Sequence, residues 1–314
     1  MLIPDGRPAS AQGIWFNLRR PVLQDIRVRQ ALELGFNFEW TNETLFYGTY
    51  NRSDSFFENT DMQAIGVPEG AELALLEKYR DDLPASIFTD TPYVPYAGNA
   101  RPRDRAALRE ASALLDAAGW TVGDDGMRYN AEGERLKLTF HDDSRSLERV
   151  MVPFTENLKS IGVDITFDII DASSHNERRQ AFDFDLSSTA WGVQITPGAE
   201  LRAFYGSEAA NAEGSNNLSG LADPLVDKLI EEVVVSETRE DLTAATQALD
   251  RVLRSKLIWI GNWHLGAHRV AIWDIFGIPE GAAPYDFNRN VDFWWFDQTK
   301  YDKVVAAGSL ADKF

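Results

Sequence analysis

The chain predicts an α/β fold, with a mostly parallel sheet flanked by helices, and three observations carry the prediction. Between Leu136 and Trp191, extended and helical patterns alternate as strand, helix, strand, helix, strand. Alternation at that spacing means βαβ units, whose strands run parallel and whose crossovers cover the sheet. Within it, Val163, Ile165, Phe167 and Ile169 alternate with Asp164, Thr166 and Asp168, the pattern of a half-buried strand. Before and after this region lie helical segments with one apolar face and a capping residue at the start.

Taken in order, residues 14–50 read as a strand, a helix from about Asp25 to Gly35, and an aromatic-rich helix around Asn42 to Tyr47. Residues 51–103 hold several prolines and read as mostly irregular, with a short helix near Ala71 to Tyr79. Asp104 is placed to cap a helix whose Leu108, Ala111, Leu114, Leu115 and Ala118 share a face, and Gly119 stands where a left-handed terminal residue belongs. Leu136 to Phe140 is a strand. Leu147 to Ile161 is a helix burying Val150, Met151, Phe154, Leu158 and Ile161, with Pro153 expected to bend it or mark its first turn. A short helix, Ser173 to Ala181, leads to the strand Phe184 to Trp191.

Two helices follow an Asn/Ser/Gly-rich loop. Asp223-Pro224 is an N-cap followed by proline at the first helical position. Thr238-Arg239-Glu240-Asp241 has the spacing of a capping box, with Asp in place of Glu. Ile258 to Trp263 and His268 to Trp273 read as strands. The last segment, Ile278 to Phe314, carries Phe293-Trp294-Trp295-Phe296, an aromatic cluster that calls for a partner surface.

Composition excludes several functions. Of 314 residues, 31 are Lys or Arg and 49 are Asp or Glu, a net charge of −18. Nucleic acid is excluded as a partner on that balance, because phosphate backbones require clustered cations. There is no cysteine, hence no disulfide, thiolate catalysis or Cys-based metal site. No apolar run approaches the roughly 20 residues that cross a bilayer. Residues 1–11 contain Pro4, Gly6 and Pro8 and lack the apolar stretch of a signal peptide. No Gly-x-Ser-x-Gly elbow, Walker loop or Gly-x-Gly-x-x-Gly turn is present.

The candidate binding residues follow from position and chemistry. Trp191-Gly192 ends a strand of the parallel sheet, and ligands of such sheets gather at the carboxyl ends of strands. Trp191 offers a rigid face to a ligand, or else packs as core under the next loop. Arg145 and Arg149 lie where a helix opens after the strand ending at Phe140. Either could hold a carboxylate, or simply face solvent. Tyr47 and Tyr50 are placed to line a cleft or to join the core. Ser215, Asn216, Asn217 and Ser219 supply neutral donors and acceptors, and a loop needs the same residues. Arg27 and Arg29 are expected to pair with nearby acids. His141-Asp142-Asp143 reads as a solvated loop, and His264 with His268 as strand residues, so no metal or cofactor is expected.

The stretch Gly13-Ile14-Trp15-Phe16-Asn17-Leu18-Arg19-Arg20-Pro21 through Asp25, with Arg27-Val28-Arg29-Gln30-Ala31, resembles the opening of the second lobe of the extracellular solute-binding proteins of peptide ABC importers. So do Leu114 to Trp120, the run from Leu158 to Asp171, and Phe182-Asp183-Phe184-Asp185 with Trp191-Gly192. Phe46 to Tyr50, Asp54 to Phe57 and Pro197-Gly198-Ala199-Glu200 are similar to the Yej-type branch, associated with oligopeptides and peptide-nucleotide antibiotics of the microcin C kind.

The resemblance implies the C-terminal half of a longer two-lobed periplasmic protein, not an enzyme. Residues 1–13 would be a linker from the first lobe, 14–270 a second periplasmic-binding-protein-like lobe, and 271–314 a tail returning to the first lobe. It implies an oligopeptide or peptide-like ligand enclosed by lobe closure, and docking on the importer's membrane subunits. Dipeptide and oligopeptide carriers of the family place an amine-binding Asp soon after their Trp-Gly. Here the first acid is Glu200, which stands either for that Asp or as an acid at a helix start. A carbohydrate- or peptide-acting hydrolase using Glu200 and a second carboxylate is the alternative.

Overall fold

The computed structural model of the chain describes residues 2–279 and 292–308. The chain begins with β1 (Leu2–Pro4) and β2 (Ala11–Phe16), then α1 (Ile26–Glu33), α2 (Phe38–Leu45) and β3 (Asn51–Arg52). Helices α3 (Gly70–Glu77), α4 (Ser86–Thr89) and α5 (Arg105–Ala117) precede the small hairpin β4 (Thr121–Val122) and β5 (Arg128–Tyr129). The βαβ region is β6 (Lys137–Asp142), α6 (Arg145–Lys159), β7 (Asp164–Ile169), α7 (Ala172–Gln180) and β8 (Leu186–Trp191). After α8 (Leu201–Tyr205), α9 (Pro224–Val234) and α10 (Arg239–Lys256) come β9 (Trp259–Gly261), β10 (Trp263–His264) and β11 (Ala267–Arg269). The C-terminal part described is β12 (Phe276–Gly277), β13 (Trp295–Phe296) and α11 (Gln298–Ala306).

Five strands form the central sheet in the order β7-β6-β8-β2-β9. β6 runs parallel to β7 and to β8, whereas β2 is antiparallel to both β8 and β9. Four of the five strands therefore point one way, and β2, the first of them in sequence, is inserted against them. The sheet is mixed, with its parallel part where the βαβ alternation predicts it.

Alternation along β2 divides the interior into two cores. Ile14 and Phe16 face a core with Leu32, Phe140, Phe154 and Leu186, and Trp15 faces a second with Phe56, Leu229, Leu249 and Trp259. β2 is thus covered on both faces and paired along both edges, with β8 and β9. Gly13 is required there: a Cβ would lie 2.3 Å from Trp259 Cε3 and 2.7 Å from the Ile260 carbonyl oxygen.

The predicted caps are in place. Asp104 accepts from the Ala106 and Ala107 amides, Asp223 from Leu225, and Thr238 from Asp241. The aromatic helix begins earlier than its pattern indicates, because the Asn37 side chain accepts from the Trp40 amide and starts it at Phe38. Tyr47 (φ 55°) and Gly48 (φ 66°) then turn the chain out of it. Pro153 lies inside α6, which runs unbroken from Arg145 to Lys159. Arg27 pairs with Asp25 at 2.6 Å as expected. Arg29 pairs with no acid among the described residues: it is buried and donates to the carbonyls of Leu23, Gln24, Lys256 and Leu257.

Buried charge on α10 fixes the irregular segment before α3. Asp250 accepts from the Phe56 amide at 2.9 Å and the Ala64 amide at 3.1 Å, and Arg251 pairs with Glu72 at 2.7 Å. The segment after residue 50 is thus tied to a helix two hundred residues away in sequence, which seats Phe56 and Phe57 beside Trp191.

β1 pairs with β11, Ile3 opposite His268, so the strand that enters and the strand that leaves lie side by side. β2 already starts at Ala11, three residues before the strand expected from residue 14. In the tail, β12 pairs with β13, Trp294 packs on Phe276 with ring centres 6.0 Å apart, and Phe293, Trp295 and Phe296 are exposed.

Candidate functional site

The four codirectional strands end together. Asp142, Ile169, Trp191 and Gly261 are their last residues, and Ala11 at the start of β2 stands opposite Trp191 in the ladder. Three recesses line this edge. The largest, about 680 Å³, lies between the segment from Asp5 to Ser10 and a wall of Tyr50, Arg149, Trp263 and His264. The second, about 470 Å³, is lined by Asp142, Asp143, His175, Arg179 and Ser188. Gln12 and Leu147 belong to both, so the two recesses adjoin each other. The third, about 20 Å³, is closed in by Trp191, Gly192, Glu200, Phe204 and Tyr205.

In the largest recess the aromatic wall is built from contacts. Phe46 lies 4.9 Å from Tyr50 and 4.8 Å from Trp263 between ring centres, and the Arg149 guanidinium is 6.0 Å from the Phe46 ring. Opposite it, Asp5 is bonded to Arg7 by a fork of 2.8 and 2.6 Å, and its Oδ2 is 3.1 Å from His268 Nε2. The hydrogen bonds from Arg7 hold the Asp5 carboxyl below its ordinary range. His264 Nδ1 is 3.2 Å from Ser53 Oγ, and burial pushes its imidazole down.

The expected residues fall into separate places. Trp191, Gly192 and Glu200 share the smallest recess, which holds about one water molecule. There Trp191 packs on Phe204 at 5.2 Å, with the Arg179 guanidinium 5.6 Å from its ring, and Glu200 Oε1 accepts from the Gly198 amide at 3.0 Å. Tyr50 and Arg149 line the largest recess. Arg145 is exposed at the first turn of α6 and lines none of these three, and Tyr47 is 85% exposed, turned outward by its left-handed backbone.

One open reading closes and one expectation is overturned. Asn217 is fully buried: its amide nitrogen donates to the carbonyls of Gly206 and Leu221 at 3.0 and 2.9 Å, and its oxygen accepts from Ser219. With those groups committed it braces a loop and does not reach a ligand. His141 and Asp142 are no solvated loop but the last residues of β6, and both are buried. Burial, and then the neighbouring His175, push the His141 imidazole down, while burial pushes the Asp142 carboxyl up.

Sequence reasoning passed over Gln12, His175, Arg179 and Trp263, and took up Asp142 and His264 only to read them as loop and strand residues. The signal available for Asp142 was its place at the end of a parallel strand, the criterion applied to Trp191. For Gln12, Trp263 and His264 the missing information was the pairing of β2 with β9 and of β10 with β3.

Residues 3–212 match the sequence pattern described as "Bacterial extracellular solute-binding proteins, family 5 Middle". The chain belongs to that family. Among its relatives, the probable peptide-binding protein YejA of Agrobacterium fabrum is 38% identical over 89% of this chain and 45% of its own length. YejA of Escherichia coli is 33% identical over 95% of the chain and 48% of its own length. The chain thus spans about half the length of the curated relatives it matches, within the Yej-type branch. The oligopeptide-binding protein AppA of Bacillus subtilis, solved in complex with a nonapeptide, has the same fold, with TM-score 0.66 and 18% identity. That match covers 95% of this chain and 52% of AppA. NikA of Brucella suis, solved with Fe(III)-EDTA, gives TM-score 0.65 at 20% identity, over 93% of this chain and 52% of its own.

Proposed function

We propose that this protein is the substrate-binding component of an ABC importer. In this reading it captures oligopeptides or peptide-like compounds at the carboxyl edge of the sheet and delivers them to the importer's membrane subunits. The observation that supports it most is the pair of adjoining recesses on either side of Gln12, together large enough for several residues of an extended ligand. Their lining mixes an aromatic wall with separated charges of both signs, which suits a chain bearing an amine, a carboxylate and varied side chains. The peptide-binding name of the Agrobacterium relative points the same way.

In this reading residues 14–270 form one of two ligand-binding lobes, residues 1–13 lead into it, and residues 271–314 return to the other. Hinge closure encloses the ligand, and the closed form is what the membrane subunits recognise. The exposed rings of Phe293, Trp295 and Phe296 then pack on the other lobe. The location that goes with this role is the periplasm. Arg149 holds a ligand carboxylate from the wall of the largest recess, Trp191 carries a ligand face at the strand end, and Glu200 takes a ligand amine. Among the described residues no helix is long and apolar enough to cross a membrane.

The test is mass spectrometry of small molecules released from the purified full-length protein, with calorimetry of whatever is identified. Release of oligopeptides or peptide conjugates that rebind without turnover supports the reading. Hydrolysis of a peptide or glycan panel would replace it with an enzyme.

A further inference from the structure

Helix α7 covers the carboxyl end of the sheet without burying any of its own residues. What holds it there is polar. His175 meets His141 of β6, with ring centres 6.0 Å apart at 80°, and Arg179 reaches the Trp191 ring at the end of β8. His141 and Ser187 stand opposite each other in the parallel ladder, so their side chains share the face under the helix. Neither ring nitrogen of His141 has a hydrogen-bond partner among the described residues, nor do His175 Nε2 and Ser187 Oγ. Buried polar atoms are nearly always paired in folded proteins, so such a cluster demands another partner.

We propose that His141 and His175 form a two-imidazole site for a divalent transition-metal ion of the zinc class. Neutral imidazole suits zinc, copper and nickel rather than the oxygen-seeking magnesium or calcium. Zinc binds nitrogen at about 2.0–2.1 Å, so two rings on one tetrahedral ion have centres roughly 5 Å apart. From the observed separation the two rings need to approach by about an ångström, a movement α7 can make because no buried side chain anchors it. Asp143 Oδ1 is 3.7 Å from His175 Nδ1. That is beyond hydrogen-bond length; a shift of α7 that brings the carboxylate onto Nδ1 would orient the ring and leave Nε2, buried without a hydrogen-bond partner among the described residues, as the ligating atom.

Among the described residues no group of three or more His, Asp or Glu side chains is arranged to hold a metal. The protein therefore supplies two ligands, and the other coordination positions open toward the 470 Å³ recess, which His175 lines. Water fills them, or donor atoms of whatever occupies that recess. The site itself does not depend on that occupant being a peptide.

The test is calorimetric titration of untagged, chelator-treated protein with Zn²⁺, with Mg²⁺ as the control. One saturable Zn²⁺ site with Kd of roughly 10 µM or tighter is expected, with no Mg²⁺ binding. His141→Ala and His175→Ala should each weaken Zn²⁺ at least about tenfold, Asp143→Asn by a smaller factor, and His268→Gln not at all. His175→Ala decides the matter, since it lies on a polar helix with no buried residue and does not endanger the fold. Absence of saturable Zn²⁺ binding below millimolar concentration, or binding that survives His175→Ala unchanged, overturns the proposal.

Discussion

Asp5 and His268 tie together the strand that leads into the sheet region and the strand that leads out of it, with Asp5 Oδ2 3.1 Å from His268 Nε2. Asp5 also holds the Arg7 fork, so one carboxylate organises the whole β1–β11 ribbon. Asp5→Asn should loosen that ribbon and leave the sheet intact. Hydrogen exchange should speed up by as much as about fivefold at the ribbon amides of Ile3 and His268, with no change in β6, because a partly exposed ion pair contributes about 0.2–1 kcal/mol. The Asp5 carboxyl is depressed in the fold, so its contribution is present at neutral pH. It declines as pH falls through the ordinary value of 3.8 and is gone below the folded-state value. Uniform exchange in wild type and variant would mean the ribbon is held by its backbone pairing alone.

Glu58 titrates in the opposite sense. Burial raises its carboxyl from 4.5 to about 7. Between those values the folded protein holds a proton that the unfolded chain has released, so stability falls as pH rises from 4.5 to 7. Glu58→Gln should remove that slope. The loss in midpoint between pH 5 and pH 8, measured by urea unfolding, should shrink in the variant.

Asn217 is a stability residue. Asn217→Ala leaves the buried Gly206 and Leu221 carbonyls without donors, at a cost of about 2–4 kcal/mol. Urea unfolding should register it in full. A variant as stable as wild type would show that the loop rebuilds its hydrogen bonds.

Arg149 and Arg145 should separate in binding. Only Arg149 lines the largest recess. In full-length protein, Arg149→Ala should weaken a peptide with a free carboxylate about tenfold and its C-terminal amide far less, while Arg145→Ala leaves both unchanged. Equal effects of the two substitutions would move the carboxylate site elsewhere.

Glu200 is tested by blocking the other end of the ligand. Glu200→Gln should weaken an unmodified peptide by about 2 kcal/mol and an N-acetylated one hardly at all. Equal losses, or none, would leave Glu200 with only its bond to the Gly198 amide.

What was legible in the sequence was local. Asp104, Asp223 with Pro224, and Thr238 announce their helices because a cap acts within three residues of itself. The alternation at Val163 to Ile169 gives a half-buried strand because one face of β7 meets solvent. Asn37 escaped notice as a cap because aromatic residues on either side suggested a different start. The direction of β2 was illegible, since the antiparallel insertion depends on partners at Leu186–Trp191 and Trp259–Gly261. The site divides the same way. Trp191 could be found from its place at a strand end, while Gln12 borders two recesses only after β2 has been threaded between β8 and β9. Asn217 could be read two ways because a loop brace and a ligand donor are the same amide, and only its surroundings distinguish them.

The placement of β2 sets the order in which this protein can be made. Its apolar residues, Ile14, Trp15 and Phe16, are synthesised well before both strands that flank them, β8 first and β9 later still. Until Trp259–Gly261 emerge, β2 has one edge without a hydrogen-bonding neighbour, and closing the sheet requires a contact spanning most of the chain. Completion of the sheet is thus a late event, and a nascent chain stalled before Trp259 presents that strand edge to any other strand it meets.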